Sequence, residues 1–268
     1  MIYMKNCLVV LANNNRINEL NNLILNINSY IINHTNDFDF IIFHEKNFIK
    51  DSVIYTLKNI KLFFCEVNFD LNQFDDAKKN EIPLFHHKYG IGYRMMCRFF
   101  SGEIFKILKN YNYDYMMRLD TDSNFYDHVD YNLFDKLKLQ NGYYGFVSIH
   151  NDAIQFSNEL ILNIREHIKN KSTNLDFYKV LQNNFNLVYY NNFEILKISE
   201  YTSENYLEFY DYLDSKNGFL KYRWGDHAIR FLYNNLFFKQ NQIIYYNDLP
   251  YFHLFDLKNK PFMLNNYF

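Results

Sequence analysis

Cysteine is nearly absent from this chain: Cys7, Cys65 and Cys97 are the only three in 268 residues. An odd, sparse set does not describe a disulfide framework. Cys7 and Cys65 lie in apolar, strand-like runs, where a buried thiol is the default expectation. No apolar run reaches the ~18 residues that span a bilayer, and the first residues lack a signal-peptide pattern. The simplest expectation is a soluble chain in a reducing, cytoplasmic compartment, although a chain whose anchor had been cut away would look the same. Basic excess is missing too. Lys and Arg number 28 against 30 Asp and Glu, a formal net charge of -2, so neither nucleic acid nor an anionic membrane is expected as a partner. Gly and Pro are scarce, at 7 and 3 residues, while Asn, Ile, Tyr, Phe and Lys abound. That is the composition of an AT-rich coding sequence, so Asn13 to Asn15 and Asn183 to Asn184 read as codon bias rather than low-complexity function.

What is present is apolar surface. Hydrophobic residues make up 49% of the chain and aromatic ones 20%, enough to bury a core and too much for disorder. The length suits one large α/β domain over residues 1–268 and is short for two.

Cys7 to Ala12 reads as a buried strand. Ile17, Leu20, Leu23, Ile24, Ile27 and Ile31 recur at helical spacing after it. Phe40 to Phe43 is a second strand, Phe48 to Leu57 a helix, and Ile60 to Val67 a third strand. This alternation predicts a parallel sheet covered by helices. Residues 70–92, polar and holding Pro83, Gly90 and Gly92, read as a loop. Tyr93 to Tyr111 carries one helical apolar stripe, and Arg94 and Arg98, four apart, can point at one anion from another face. Strands are expected at Tyr115 to Leu119, Tyr143 to Ser148 and Ile243 to Tyr246. Helices are expected at 155–169, 203–214 and 226–238.

The strand at Tyr115 ends in Arg118-Leu119-Asp120-Thr121-Asp122. On an extended chain residues i and i+2 point the same way, so two carboxylates would stand side by side and repel unless a cation neutralises them. Oxygen ligands suit Mg²⁺ or Mn²⁺, which commonly share their shell with substrate phosphates. The bland alternative is an acidic turn after a strand, and the motif alone does not separate the two.

Other strings do. Tyr93-Arg94-Met95-Met96-Cys97-Arg98-Phe99-Phe100-Ser101-Gly102 resembles the Tyr-Arg-x-Met-Cys-Arg-Phe-x-Ser-Gly string of the fungal KRE2/MNT1-type α-1,2-mannosyltransferases, glycosyltransferase family 15. Asp114 to Asp122 stands at the family's spacing, where the strand ends Arg-Val-Glu-Pro-Asp. Asn192-Phe193-Glu194-Ile195, Phe209 to Asp214 and Tyr222-Arg223-Trp224-Gly225-Asp226 follow in the family's order. The resemblance implies a GT-A, Rossmann-like α/β fold with a mixed sheet flanked by helices. It also implies retaining transfer of mannose from GDP-mannose to a glycan or glycoprotein hydroxyl with Mn²⁺, Mg²⁺ being the alternative ion.

Carried over by position, the resemblance implies a metal held by Asp120, Asp122 and His253. It makes Glu194 the acid nearest the sugar and Tyr93 and Asp226 further active-site groups. Asn14, Arg94, Arg98 and Asp122 fall on the donor side, Arg223 and Trp224 on the acceptor side. Each has a plainer reading: His253 as a core histidine, Glu194 as half of a buried pair with an Arg, Trp224 as core rather than a sugar platform, Asp226 as a helix cap.

The chain also departs from the family. Asp120 replaces Glu and Thr121 replaces Pro. Asn13 stands where the first loop has Arg, with Arg16 as a substitute. Leu187 replaces a Cys, removing a disulfide partner. The membrane anchor and stem of the Golgi relatives are absent. The alternatives are the same fold with another nucleotide-sugar donor, a catalytically silent carbohydrate-binding relative, and a phosphatase or nuclease that uses paired carboxylates.

Overall fold

The computed structural model describes residues 5–69, 90–169, 171–181 and 185–253. Its centre is a seven-stranded sheet. In chain order the strands are β1 (Asn6–Ala12), β2 (Phe38–His44), β3 (Leu62–Glu66), β4 (Tyr115–Leu119), β6 (Tyr144–Phe146), β9 (Phe193–Lys197) and β10 (Ile243–Tyr245), and they lie in the order β10-β6-β9-β4-β1-β2-β3. β1, β2, β3 and β4 run parallel. β9 is antiparallel to both neighbours, β4 and β6. Two short antiparallel ladders complete the strands: β5 (Ser123–Phe125) with β11 (Tyr251–His253), and β7 (Ile149–Asn151) with β8 (Leu187–Tyr189).

The helices are α1 (Ile17–Tyr30), α2 (Ile91–Arg98), α3 (Ile104–Leu108), α4 (Leu133–Leu139), α5 (Ile154–Ile168), α6 (Leu175–Val180), α7 (Ile198–Tyr201), α8 (Glu204–Ser215), α9 (Gly218–Tyr222) and α10 (Asp226–Phe237). A π-helical stretch, Phe99–Glu103, joins α2 to α3. Among the described residues no helix is long and apolar enough to cross a membrane.

The sheet divides the core in two, because successive side chains of a strand point to opposite faces. Cys7, Val9, Met116 and Leu196 face one cluster; Leu8, Val10, Met117 and Ile195 face the other. By the same alternation Arg118 and Glu194 lie on the face that α10 and the π-helical stretch cover. They are register partners across β4 and β9, an unusual place for charge, since each buried ion forfeits its hydration.

Two sequence expectations need correction. Phe48 to Leu57 is not a helix. Only a 3₁₀ turn, Lys50–Ser52, forms there, because the Asn21 side chain on α1 takes over the backbone: it donates to the Ser52 carbonyl and accepts from the Ile54 amide. The expected loop at 70–92 lies outside the described residues up to position 89. Beyond it, Gly90 caps α2 and Gly92 lies within that helix. The expected helix at 93–111 forms, but with the π-helical stretch inside it. There Gly102 lies against Tyr210, whose ring a Cβ would meet at 2.2 Å. The antiparallel strand β9, which puts Glu194 at the centre of the sheet, is not signalled by the alternation that reveals β1 to β3.

Candidate active site

The carboxyl ends of parallel strands are where α/β sheets bind ligands, since loops diverge there and leave a crevice. In this chain the loops after β1, β2 and β3 enclose a cavity of ≈ 450 Å³, lined in part by Asn13, Asn14, Lys46, Phe48, Asn68 and Phe69. Asn14 ties its wall together, donating to the Asn47 carbonyl at 2.8 Å and accepting from the Ile49 amide at 2.9 Å.

Where β4 stops, at Leu119, the chain turns: the Ser123 amide donates to the Asp120 carbonyl at 3.0 Å. The two acids are therefore not on one extended segment and take different hydrogen-bonding partners, although both lie near Arg16 and Tyr251. Asp120 bends back to Arg118, whose Nε and Nη2 both reach its Oδ1, at 3.2 and 3.0 Å. Asp122 instead meets His253, Oδ1 to Nε2 at 2.8 Å. The pairing of β5 with β11 sets His253 opposite Ser123 and so beside Asp122. Arg16 Nη1 lies 3.7 Å from the other Asp122 oxygen. Burial works against ionised Asp122, but His253 and Arg16 outweigh it and lower its pKa.

One carboxylate oxygen and one imidazole nitrogen form a mixed O/N pair suited to a borderline divalent cation. Among the described residues no three His, Cys, Asp or Glu side chains converge on one point. The residues thus fit an ion that takes its remaining ligands from substrate phosphates and water.

Behind this rim lies a buried ion cluster. Arg118, stacked 3.6 Å over the Phe100 ring, bonds Asp226 Oδ2 at 2.5 Å. Asn191 donates to the same oxygen at 2.7 Å. Burial alone would raise the Asp226 carboxyl; Arg118, His227 and Asn191 prevail and bring it to about 2. Glu194 is fully buried. Its Oε2 accepts from Arg230 Nε at 3.1 Å, and its Oε1 lies 3.9 Å from Arg118 without a hydrogen bond among the described residues. Arg230 also donates to the Tyr206 hydroxyl at 2.6 Å and the Phe100 carbonyl at 2.9 Å. Glu194 thus forms the buried pair with an arginine that the plainer reading expects.

Tyr93 lies near a third group. Arg223 Nη1 donates to Asp152 Oδ2 at 2.8 Å and its Nη2 to the Tyr93 hydroxyl at 3.3 Å. Burial pushes the Tyr93 phenol well up. His227 Nε2 lies 3.0 Å from the same Asp152 oxygen.

Several expected contacts are corrected. Arg94 and Arg98 do not converge on one anion. Arg94 donates to the Leu220 carbonyl at 2.7 Å, while Arg98 makes a bidentate pair with Asp214, at 2.6 and 2.7 Å. Trp224 is no sugar platform: it is fully buried, packed where a Cβ on Gly218 would meet its ring at 2.3 Å. Arg223, expected on the acceptor side, lies in the left-handed region at φ 59 and is a buried counter-ion of Asp152. Sequence reasoning gave no role to Arg118, Asn191, Arg230, Asp152 or His227. The legible signal was Arg118 itself, a charge in the middle of an apolar strand, which folding tolerates only with partners.

Comparison with known proteins agrees with this architecture. Residues 2–261 match the family model described as glycolipid 2-alpha-mannosyltransferase. The chain is 28% identical over 221 residues to the O-glycoside alpha-1,2-mannosyltransferase homolog 3 of Schizosaccharomyces pombe, covering 77% of this chain and 58% of that protein. It is 30% identical to the probable mannosyltransferase KTR3 of Saccharomyces cerevisiae, covering 69% and 48%. The chain thus spans about half the length of the curated relatives it matches. Among solved structures, the mannosyltransferase Ktr4p of S. cerevisiae superposes with TM-score 0.80 at 23% identity, covering 93% of this chain and 70% of that one. Core-mannan synthase A of Aspergillus fumigatus, in a Mn/GDP form, superposes with TM-score 0.78 at 19% identity, covering 93% and 74%. The fold is GT-A, and the chain belongs to the glycolipid 2-alpha-mannosyltransferase family.

Proposed function

We propose that this chain is a single-domain, retaining α-1,2-mannosyltransferase that moves mannose from GDP-mannose to a hydroxyl of a glycan or glycoprotein, with Mn²⁺. One observation carries the reading: Asp122 and His253 meet at 2.8 Å on the carboxyl side of β4 with Arg16 beside them. Family membership and the Mn/GDP form of a fold relative support it. Asp122 and His253 would hold the ion, and Arg16 would add positive charge beside the diphosphate. The ion supplies charge neutralisation for the departing nucleoside diphosphate. Arg118, fixed by Asp120 and Asp226, keeps the rim in register with the sheet.

Asp226, held ionised by Arg118, serves as an acceptor ligand rather than as a proton-accepting base. Glu194 acts on the site as a buried negative charge. A different nucleotide-sugar donor is the second reading. It is favoured by one observation, that both polar ends of the Asn14 side chain are taken up by the neighbouring loop.

Thermal melts with GDP, UDP and ADP, each with and without Mn²⁺, test this. The expected result is a Mn²⁺-dependent shift with GDP, worth roughly 2.7 kcal/mol at a hundred times the dissociation constant. A strong shift with UDP and none with GDP would move the assignment to the second reading. No shift with any nucleotide would remove both.

A further inference from the structure

The two nitrogens of the His253 ring meet different groups. Nε2 faces Asp122 Oδ1 at 2.8 Å, and Nδ1 lies 3.4 Å from the Tyr190 hydroxyl. The Tyr190 ring also stands nearly perpendicular to the imidazole, with centroids 5.8 Å apart and 81° between the planes. Tyr190 belongs neither to the cation pair nor to the buried cluster, yet it touches the one side chain that brings nitrogen to the rim. It is itself held from behind. It follows β8, and its amide donates to the Ser148 carbonyl at 3.0 Å. The His150 ring lies against its ring, with centroids 4.4 Å apart, and His150 Nε2 meets Ser148 Oγ at 2.9 Å.

The next two residues fasten the same segment to both halves of the site. Asn191 donates to Asp226 Oδ2 at 2.7 Å. The Asn192 carbonyl accepts from the Asp120 amide at 3.0 Å and from the Ser123 hydroxyl at 3.2 Å, so Tyr190 is tied to the turn that carries Asp122. The χ2 torsion of a histidine is broad, so strand pairing alone places the His253 ring without aiming its nitrogens. An imidazole that binds an ion through Nε2 carries its proton on Nδ1, and that proton needs an acceptor. A tyrosine hydroxyl can accept it. At 3.4 Å the contact is long for a hydrogen bond, and the edge-on ring packing adds restraint that the hydroxyl alone does not give.

We infer that Tyr190 is the positioning residue of His253: its hydroxyl accepts the Nδ1 proton and its ring fixes the plane of the imidazole, so that Nε2 presents its lone pair beside Asp122. This rests on the metal reading above. The consequence is ion selectivity. Carboxylate and water serve Mg²⁺ well, whereas an imidazole adds more for transition ions, and more for Co²⁺ than for Mn²⁺. Tyr190 thus sets how far the site prefers a transition ion to Mg²⁺.

The test is the dissociation constant of GDP, by titration calorimetry, with Mg²⁺, Mn²⁺, Co²⁺ or no ion, in the wild type, Tyr190→Phe, His253→Ala and the double variant. In the wild type the ions are expected to strengthen GDP binding in the order Mg²⁺, Mn²⁺, Co²⁺. Tyr190→Phe keeps the ring and loses the hydroxyl. It should weaken GDP binding with Mn²⁺ and Co²⁺ by about tenfold or more, with a smaller loss for Mg²⁺ and none without an ion. In the His253→Ala background the same substitution changes nothing further, because the ring it positions is gone. His150→Leu, which removes the ring behind Tyr190, should give the same ion-selective loss at smaller size, and it carries the test if Tyr190→Phe folds poorly. An unchanged ion series in the variant that folds overturns the inference. So does an equal loss with every ion and with none, or the same loss in the His253→Ala background, either of which is what a general distortion of the rim gives. A wild type in which no ion alters the affinity for GDP or UDP overturns the metal reading instead.

Discussion

Arg118 and Asp226, 108 positions apart in the chain, meet at 2.5 Å with both side chains almost wholly buried. The contact fastens the end of β4 to the first turn of α10. Removing one partner of a buried pair strands the other without hydration, at about 3–5 kcal/mol. Arg118→Met is therefore expected to destabilise the fold by that amount in urea unfolding. Arg118→Lys should recover only part of it, because a single ammonium cannot span Asp226 and Asp120 as the guanidinium fork does. A Met variant as stable as the wild type would mean that the cluster contributes nothing to folding.

The same contact fixes an acid limb of stability. Asp226 titrates at about 2 in the folded chain against 3.8 ordinarily. The depressed pKa stabilises the fold fully above about pH 3.8, and that contribution, about 2 kcal/mol, is lost as pH falls towards 2. Stability measured through this window should fall less steeply in Asp226→Asn, which has no carboxyl to protonate. Parallel curves for the two proteins would assign the acid limb to other groups.

Asp122→Ala and His253→Ala should each abolish the Mn²⁺ dependence of the nucleotide shift. Their side chains are only 16% and 13% exposed, so some fall in the unliganded melting temperature is expected as well, and the lost Mn²⁺ dependence is the readout that identifies the metal role. Asp120→Ala acts differently. One of its carboxylate oxygens, Oδ1, is bonded to Arg118, so the unliganded melt should drop along with any loss of the Mn²⁺ response. An Asp120 variant that loses the metal response and nothing else would restore the side-by-side arrangement of the two acids.

Trp224→Ala empties a fully buried site and is expected to cost about 3–5 kcal/mol. Gly218→Ala should be destabilising as well, since the new methyl meets the indole ring. A Trp224→Phe variant that folds normally but binds acceptor more weakly would return the tryptophan to a sugar-binding role.

Glu194→Gln removes the negative charge between Arg118 and Arg230. Two buried guanidinium groups then face a neutral amide, so melting temperature and turnover should fall together. A loss of turnover with an unchanged melt would show that Glu194 acts on the sugar alone.

The sequence determined by itself what period and composition encode. The apolar runs of β1, β2 and β4 could only be buried strands, and the stripes of α1, α2, α5, α8 and α10 only helices, because burial depends on where side chains recur along the chain; β3, equally apolar, is a half-exposed edge strand. The ordered motifs also identified the family. Tertiary structure alone decided which charges meet. Asp120 and Asp122, two residues apart, bond different partners because the strand ends at Leu119 and the chain turns. Asp122 meets His253 because β11 returns beside β5. Glu194 meets Arg118 and Arg230 because β9 runs antiparallel into the middle of the sheet. A side chain's neighbours in space come from register and strand order. Both are set by contacts between segments distant in the chain, and no local pattern of residues records them.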